Sequence, residues 1–139
     1  MPRKKSARRG QALVESALVT GVFLTLLIGV LDVGQVLFVH QTLVERTRNA
    51  LRYGAVRPFD ADAIRNMFLY NQPTAPEGSE EGLFGLLPSM VQVSREDAGT
   101  SADRIVIRVT KYPFRFYTPL IAGAYEGKPI IASIPYEGG

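Results

Sequence analysis

The chain has no cysteine and a single histidine among its 139 residues. The first absence removes disulfides, thiolate nucleophiles and cysteine metal sites. The second leaves His40 unable to assemble a usual zinc site or a histidine-based triad, so its expected role is structural, at the outer end of an apolar span. No Gly-rich phosphate loop or nucleophile elbow occurs. The paired acids Glu80-Glu81 and Glu96-Asp97 stand in loop-like contexts without an apolar pocket that would raise a pKa, so solvated loop charge is their expected state. No internal repeat or useful heptad array is found. Together these absences exclude the common catalytic arrangements; an enzyme is not expected, nor is a metal, cofactor or small-molecule substrate.

Charge is unevenly placed. Arg3, Lys4, Lys5, Arg8 and Arg9 put +5 into the first ten residues, which leaves 11 basic and 13 acidic residues, or −2, for the remainder. A basic run can contact nucleic acid. One placed directly before an apolar span is better explained as the charge that keeps that end cytoplasmic, so no nucleic-acid partner is expected.

Ser16 to Leu31 carries no charge, and after Asp32 apolar residues resume at Val33, Val36, Leu37, Phe38 and Val39. As a helix, Glu15 to His40 would measure about 37 Å, enough to cross a hydrocarbon core of about 30 Å. A secretory signal has a shorter apolar part followed by a small-x-small cleavage site, and none follows here. Leu43, Val44, Thr47, Ala50, Leu51, Gly54 and Ala55 then recur at three- and four-residue steps, so the helix is expected to continue as an amphipathic stalk until Pro58 stops it. Asp60 can cap a second helix, Ala61 to Tyr70, with Ile64, Met67 and Phe68 on its apolar side.

Gln72 to Gly82 is rich in Pro, Gly, Ser and Glu and reads as an exposed loop. Met90 to Ser94, Arg104 to Lys111 and Ile130 to Ile134 alternate apolar and polar residues, the pattern of half-buried strands, with the first two joined as a hairpin across Glu96 to Asp103. Pro113 and Pro119 interrupt the aromatic-rich piece Tyr112 to Tyr125, where a turn of helix is expected. Its Tyr112, Phe114, Phe116, Tyr117 and Tyr125 serve either as core, the favoured reading, or as a partner-binding surface. The expected fold class is α+β, a long N-terminal transmembrane and stalk helix carrying a small antiparallel sheet domain. The expected organisation is a basic leader over 1–10, a span and stalk over 11–57, and a small domain over 58–139 with a flexible loop at 71–83.

The informative stretch is Arg8-Arg9-Gly10-Gln11-Ala12-Leu13-Val14-Glu15. A carboxylate at a membrane edge is costly and marks function by default. Were the chain cut after Gly10, the new amine of Gln11 would lie one helical turn from Glu15, on the same side, where opposite charges attract and the helix dipole favours the anion. In an assembly, Glu15 could instead meet a neighbour's amine and set the axial register. The plain alternative is an unprocessed signal anchor with Glu15 at the headgroup level. Asp32 is a candidate for helix packing, with interfacial solvation an equal alternative. Gly21 and Gly29 stand eight apart rather than four, short of the G-x-x-x-G packing motif.

A Gly, four residues, then Glu opening an apolar helix resembles the processing site of type IV prepilins. The longer strings RRGQALVESALV and GVLDVGQVLFVHQTL resemble the TadE-like minor pilins or pseudopilins of the Flp/Tad pilus, from Arg8 to about Ala55. Tyr112-Pro113-Phe114 and Thr118-Pro119-Leu120 also look like family segments. Ser16 departs from the family, which often places an aromatic residue after the Glu. The resemblance implies a pilin-like fold, cleavage after Gly10 by a prepilin peptidase, and retention in the bacterial inner membrane. It also implies a periplasmic C-terminal domain and partners among other pilin-type subunits and the pilus assembly platform. A rival is an unprocessed single-pass envelope protein with a periplasmic ligand- or partner-binding domain.

Overall fold

The structure, a computed structural model, describes residues 4–118 and 123–138, with side chains from residue 10 onward. The leader side chains, Pro119 and Leu120 lie outside the described residues. No proline falls between Pro2 and Pro58, so nothing interrupts the backbone ladder, and helix α1 runs unbroken over Lys4–Ala55. At 1.5 Å per residue it is about 78 Å long. One of its closing carbonyl groups is taken from afar: the Glu137 N–H donates to the Ala55 carbonyl at 3.0 Å.

Helix α2 covers Ala61–Tyr70, with the expected bounds and cap. Asp60 Oδ1 accepts from the N–H groups of Asp62 and Ala63, both at 3.0 Å, satisfying donors that a helix start leaves orphaned. Asn71 closes the helix in the left-handed region. Gly54 lets α2 lie close on α1, because a Cβ there would stand 2.5 Å from Ile64 Cδ1.

Five strands follow: β1 Val91–Glu96, β2 Arg104–Val109, β3 Pro113–Phe116, β4 Gly123–Glu126 and β5 Ile130–Pro135. An antiparallel sheet in the order β1-β2-β5 holds the three expected strands, with Val93 opposite Ile107 and Ile107 opposite Ala132. The inward face of β2, Ile105, Ile107 and Val109, is fully buried with Leu43, Ile64 and Phe68. The turn of helix expected within 112–125 is absent among the described residues. There, β3 and β4 form a separate two-stranded antiparallel sheet, with Phe114 opposite Tyr125. Alternation places Phe114 and Phe116 on one face, where they pack with Tyr125 at ring separations of 5.2 to 6.0 Å, and such cross-strand aromatic pairs favour a sheet over a helix. Pro113 is accommodated as the first residue of a strand.

Residues 71–81 are exposed throughout, as the loop reading requires. They are tethered to α2 by Asn66, whose Nδ2 donates to the Pro73 carbonyl at 3.1 Å, and by Tyr70, whose hydroxyl donates to that of Ser79 at 3.4 Å. Leu86, fully buried, pins the next segment into the core.

The domain does not simply sit beyond the stalk. It folds back along α1, burying Asp32, Val39, Leu43, Thr47, Ala50, Leu51 and Ala55 at helical spacing. Below Asp32, Leu13, Leu18, Val22, Phe23, Leu26 and Val30 are each more than 60% exposed. Helix α1 is thus a bare apolar half and a clasped half.

Candidate functional site

Two places on α1 bear on function. At its start, Gly10, Gln11, Val14, Glu15 and Leu18 line one stretch of helix surface. A Cβ added at Gly10 would meet nothing within 4 Å, and its φ is not positive. Glycine within a helix costs about 1 kcal/mol relative to alanine, and the folded chain shows no steric or conformational reason for it here. Gln11 and Glu15 are exposed and four residues apart, the spacing that puts two side chains on one helix face. The Gly10–Gln11 peptide lies within the helix.

The second place is Asp32, only 2% exposed. Its Oδ1 and Oδ2 each accept from the Tyr117 N–H at 2.9 Å, and Oδ2 also accepts from the Thr118 N–H at 2.7 Å and the Thr118 hydroxyl at 2.6 Å. The carboxylate therefore receives two backbone donors at the end of β3, together with a hydroxyl, in charge-assisted hydrogen bonds. Within its own chain this residue latches the β3–β4 sheet to α1. Gly29, one turn below, faces the same segment: a Cβ there would stand in ordinary contact with Thr118 Oγ1, 3.7 Å away. Nothing lies within 4 Å of a Cβ at Gly21.

Higher on the helix, His40 Nδ1 lies 3.4 Å from the Tyr112 hydroxyl. Burial pushes the Tyr112 phenol up from its ordinary pKa. Its ring lies where a side chain on Gly127 would be, and the Gly127 N–H donates to the Tyr112 carbonyl at 2.9 Å. The aromatic cluster divides accordingly. Tyr112 is buried, Phe114 and Phe116 are half-buried, and Tyr117 and Tyr125 are exposed.

Glu96 and Asp97 remain open to solvent, as expected, and also pair with Arg104, whose Nη2 lies 3.2 and 3.1 Å from their carboxylates. Asp103 accepts from Arg95 through both oxygens, at 2.9 and 2.6 Å, and from the Gly99 N–H at 2.9 Å. These bonds, that from Arg95 foremost, hold its carboxyl down to about 2. Arg95 in turn stacks over the Tyr136 ring at 4.1 Å. Such pairs close a loop; they do not make a proton-transfer site. Among the described residues, no three acids or histidines are grouped to hold a metal.

Tyr117 and Thr118 stood out in the sequence as part of an aromatic cluster and of a family-like segment, but not as partners of Asp32. Asp32 was conspicuous as a charge on an apolar helix, but no local signal joins it to positions 85 and 86 residues away.

These features define a class: a membrane-anchored protein with one N-terminal apolar helix, on whose distal half a small α+β domain is clasped. Residues 10–52 match the family model for TadE-like protein, so this third of the chain is similar to that family, as its motif suggested. The match opens on Gly10 and includes Glu15 and Asp32. No curated protein and no solved structure matches the chain.

Proposed function

We propose that this chain is a TadE-like minor pilin or pseudopilin acting in Flp/Tad-type pilus assembly. It is anchored in the bacterial inner membrane with its leader cytoplasmic and its domain periplasmic. The single observation that carries the reading is the TadE-like match over 10–52, opening on Gly10 with Glu15 one turn further along the bare half of α1. A prepilin peptidase cuts after Gly10, and the new amine of Gln11 then faces Glu15 within the molecule or in its neighbour. The apolar surface from Leu13 to Leu31 packs against other pilin-type helices or the assembly platform. Its work is assembly rather than catalysis.

A second reading, an unprocessed envelope protein with a partner-binding domain, draws on the continuity of α1 through Gly10. The intact mass of the protein from its native membranes separates the two, measured beside a Gly10→Ala variant. The pilin reading expects a wild-type mass lacking residues 1–10 and full length in the variant. Full length in both would leave the signal-anchored reading.

A further inference from the structure

The β3–β4 sheet has two strands among the described residues, so each has an outer edge with no strand beside it. In hydrocarbon each unpaired backbone N–H or C=O group costs several kcal/mol, and irregular or open-edged backbone is tolerated at membrane depth only inside protein or beside water. This sheet is latched to α1 at Asp32, and its Thr118 reaches down to Gly29. With α1 spanning the bilayer, as the proposed function requires, the hydrocarbon must therefore end close to Gly29.

The helix leaves no slack in the other direction. Counted from Ala12, the first residue past Gln11, the span holds Glu15 about one turn inside its inner edge. Ala12 to Ile28 makes about 25 Å of helix and Ala12 to Leu31 about 30 Å, against a core of about 30 Å that takes at least about 17 residues to cross. A lower boundary would leave too short a span, and a higher one would drown the open-edged sheet.

At the level so bracketed stands Tyr117, 63% exposed beside the latch. A ring with one polar end favours the boundary between acyl chains and headgroups. A second aromatic lies higher. Phe84, in the left-handed region at φ 57°, sets its ring edge-on to Phe38 at 6.1 Å. Phe38 is 64% exposed and lies six residues, or about 9 Å, above Asp32.

We infer that the Thr118 end of the β3–β4 sheet is a lipid-contacting foot, which seats the domain on the outer leaflet of its own membrane with Tyr117 at the base of the headgroup layer. The turn at Phe84 touches the upper part of the same layer. Asp32 is the positioning residue that holds the foot at this height, and the foot keeps the domain from swinging about the helix.

The chain contains no tryptophan, so single-tryptophan variants report without background. The full chain carrying Tyr117→Trp, Phe84→Trp, Val22→Trp or Gln92→Trp is placed in phosphatidylcholine–phosphatidylglycerol nanodiscs, and emission is compared with and without shallow-brominated acyl chains. Val22 marks the middle of the span, and Gln92 the exposed face of the sheet. Bromination should quench and the bilayer blue-shift Tyr117→Trp, with a smaller loss for Phe84→Trp and none for Gln92→Trp. If Val22→Trp is quenched while Tyr117→Trp and Phe84→Trp behave like Gln92→Trp, the foot is overturned and the exposed aromatics serve a protein partner instead. If Val22→Trp itself is not quenched, the membrane-spanning reading falls, and the foot with it. Both foot probes replace exposed side chains, and matching far-ultraviolet dichroism verifies that each variant is folded.

Discussion

A carboxylate on a helix that otherwise presents Leu, Val and Phe must find donors, and Asp32 finds them in Tyr117 and Thr118. Hydrogen bonds to a charged group contribute about 1.5–3 kcal/mol each in favourable cases. An amide at this position keeps the shape, but it loses the charge and points an N–H₂ group at N–H donors. Asp32→Asn is therefore expected to weaken the latch by about 1.5–3 kcal/mol. Native-state hydrogen exchange would show this as faster exchange at the Tyr117 and Thr118 amides, with β2 unchanged. Equal protection in the two proteins would mean that the sheet is held by its other contacts, such as that between Tyr112 and His40. Glu15 is the opposite case, a carboxylate exposed on the surface of the helix.

Among the elements, the β1–β2 hairpin illustrates how a loop that looked merely solvated is tied down. Its Asp103 titrates near 2 when folded, against an ordinary 3.8. A depressed carboxyl contributes stability that is complete above its unfolded pKa and lost as pH falls through its folded one. Thermal midpoints of the wild type and Asp103→Asn, followed by circular dichroism, should thus differ most above pH 4 and converge as pH falls towards 2. A difference independent of pH would assign the loss to packing alone. The three main strands were legible because Val and Ile alternate with polar residues in each. The β3–β4 pair was not: Pro113 and Pro119 read as interruptions, whereas Pro113 begins an edge strand and the decisive Phe114–Tyr125 pairing joins residues eleven apart. The alternation of Tyr112, Phe114 and Phe116 was the signal available.

For the molecule as a whole, the domain's grip on α1 extends well below the stalk, from Ala55 down to Asp32. The principal core needs α1 only from Val39 upward, so the two attachments can be separated by truncation. A fragment of residues 29–139 retains Asp32, and one of residues 36–139 does not. Both are expected to fold around the three-stranded sheet, but limited proteolysis should cut between 112 and 128 in the shorter fragment alone. Equal resistance would show that the latch is dispensable for holding the sheet.

The sequence by itself determined the apolar span, the Gly10–Glu15 motif, the stop of the first helix and the cap of the second, and the three-stranded pattern. Each is written within a few neighbouring residues, through charge, periodicity, a capping Asp or a proline. Only the tertiary structure decided that the domain folds back along the helix, that Thr118 comes to lie beside Gly29, and that Asp32 serves its own chain. Those outcomes join residues 85 or more positions apart, and no local preference encodes which distant donors will satisfy a buried carboxylate once the core has brought them within reach.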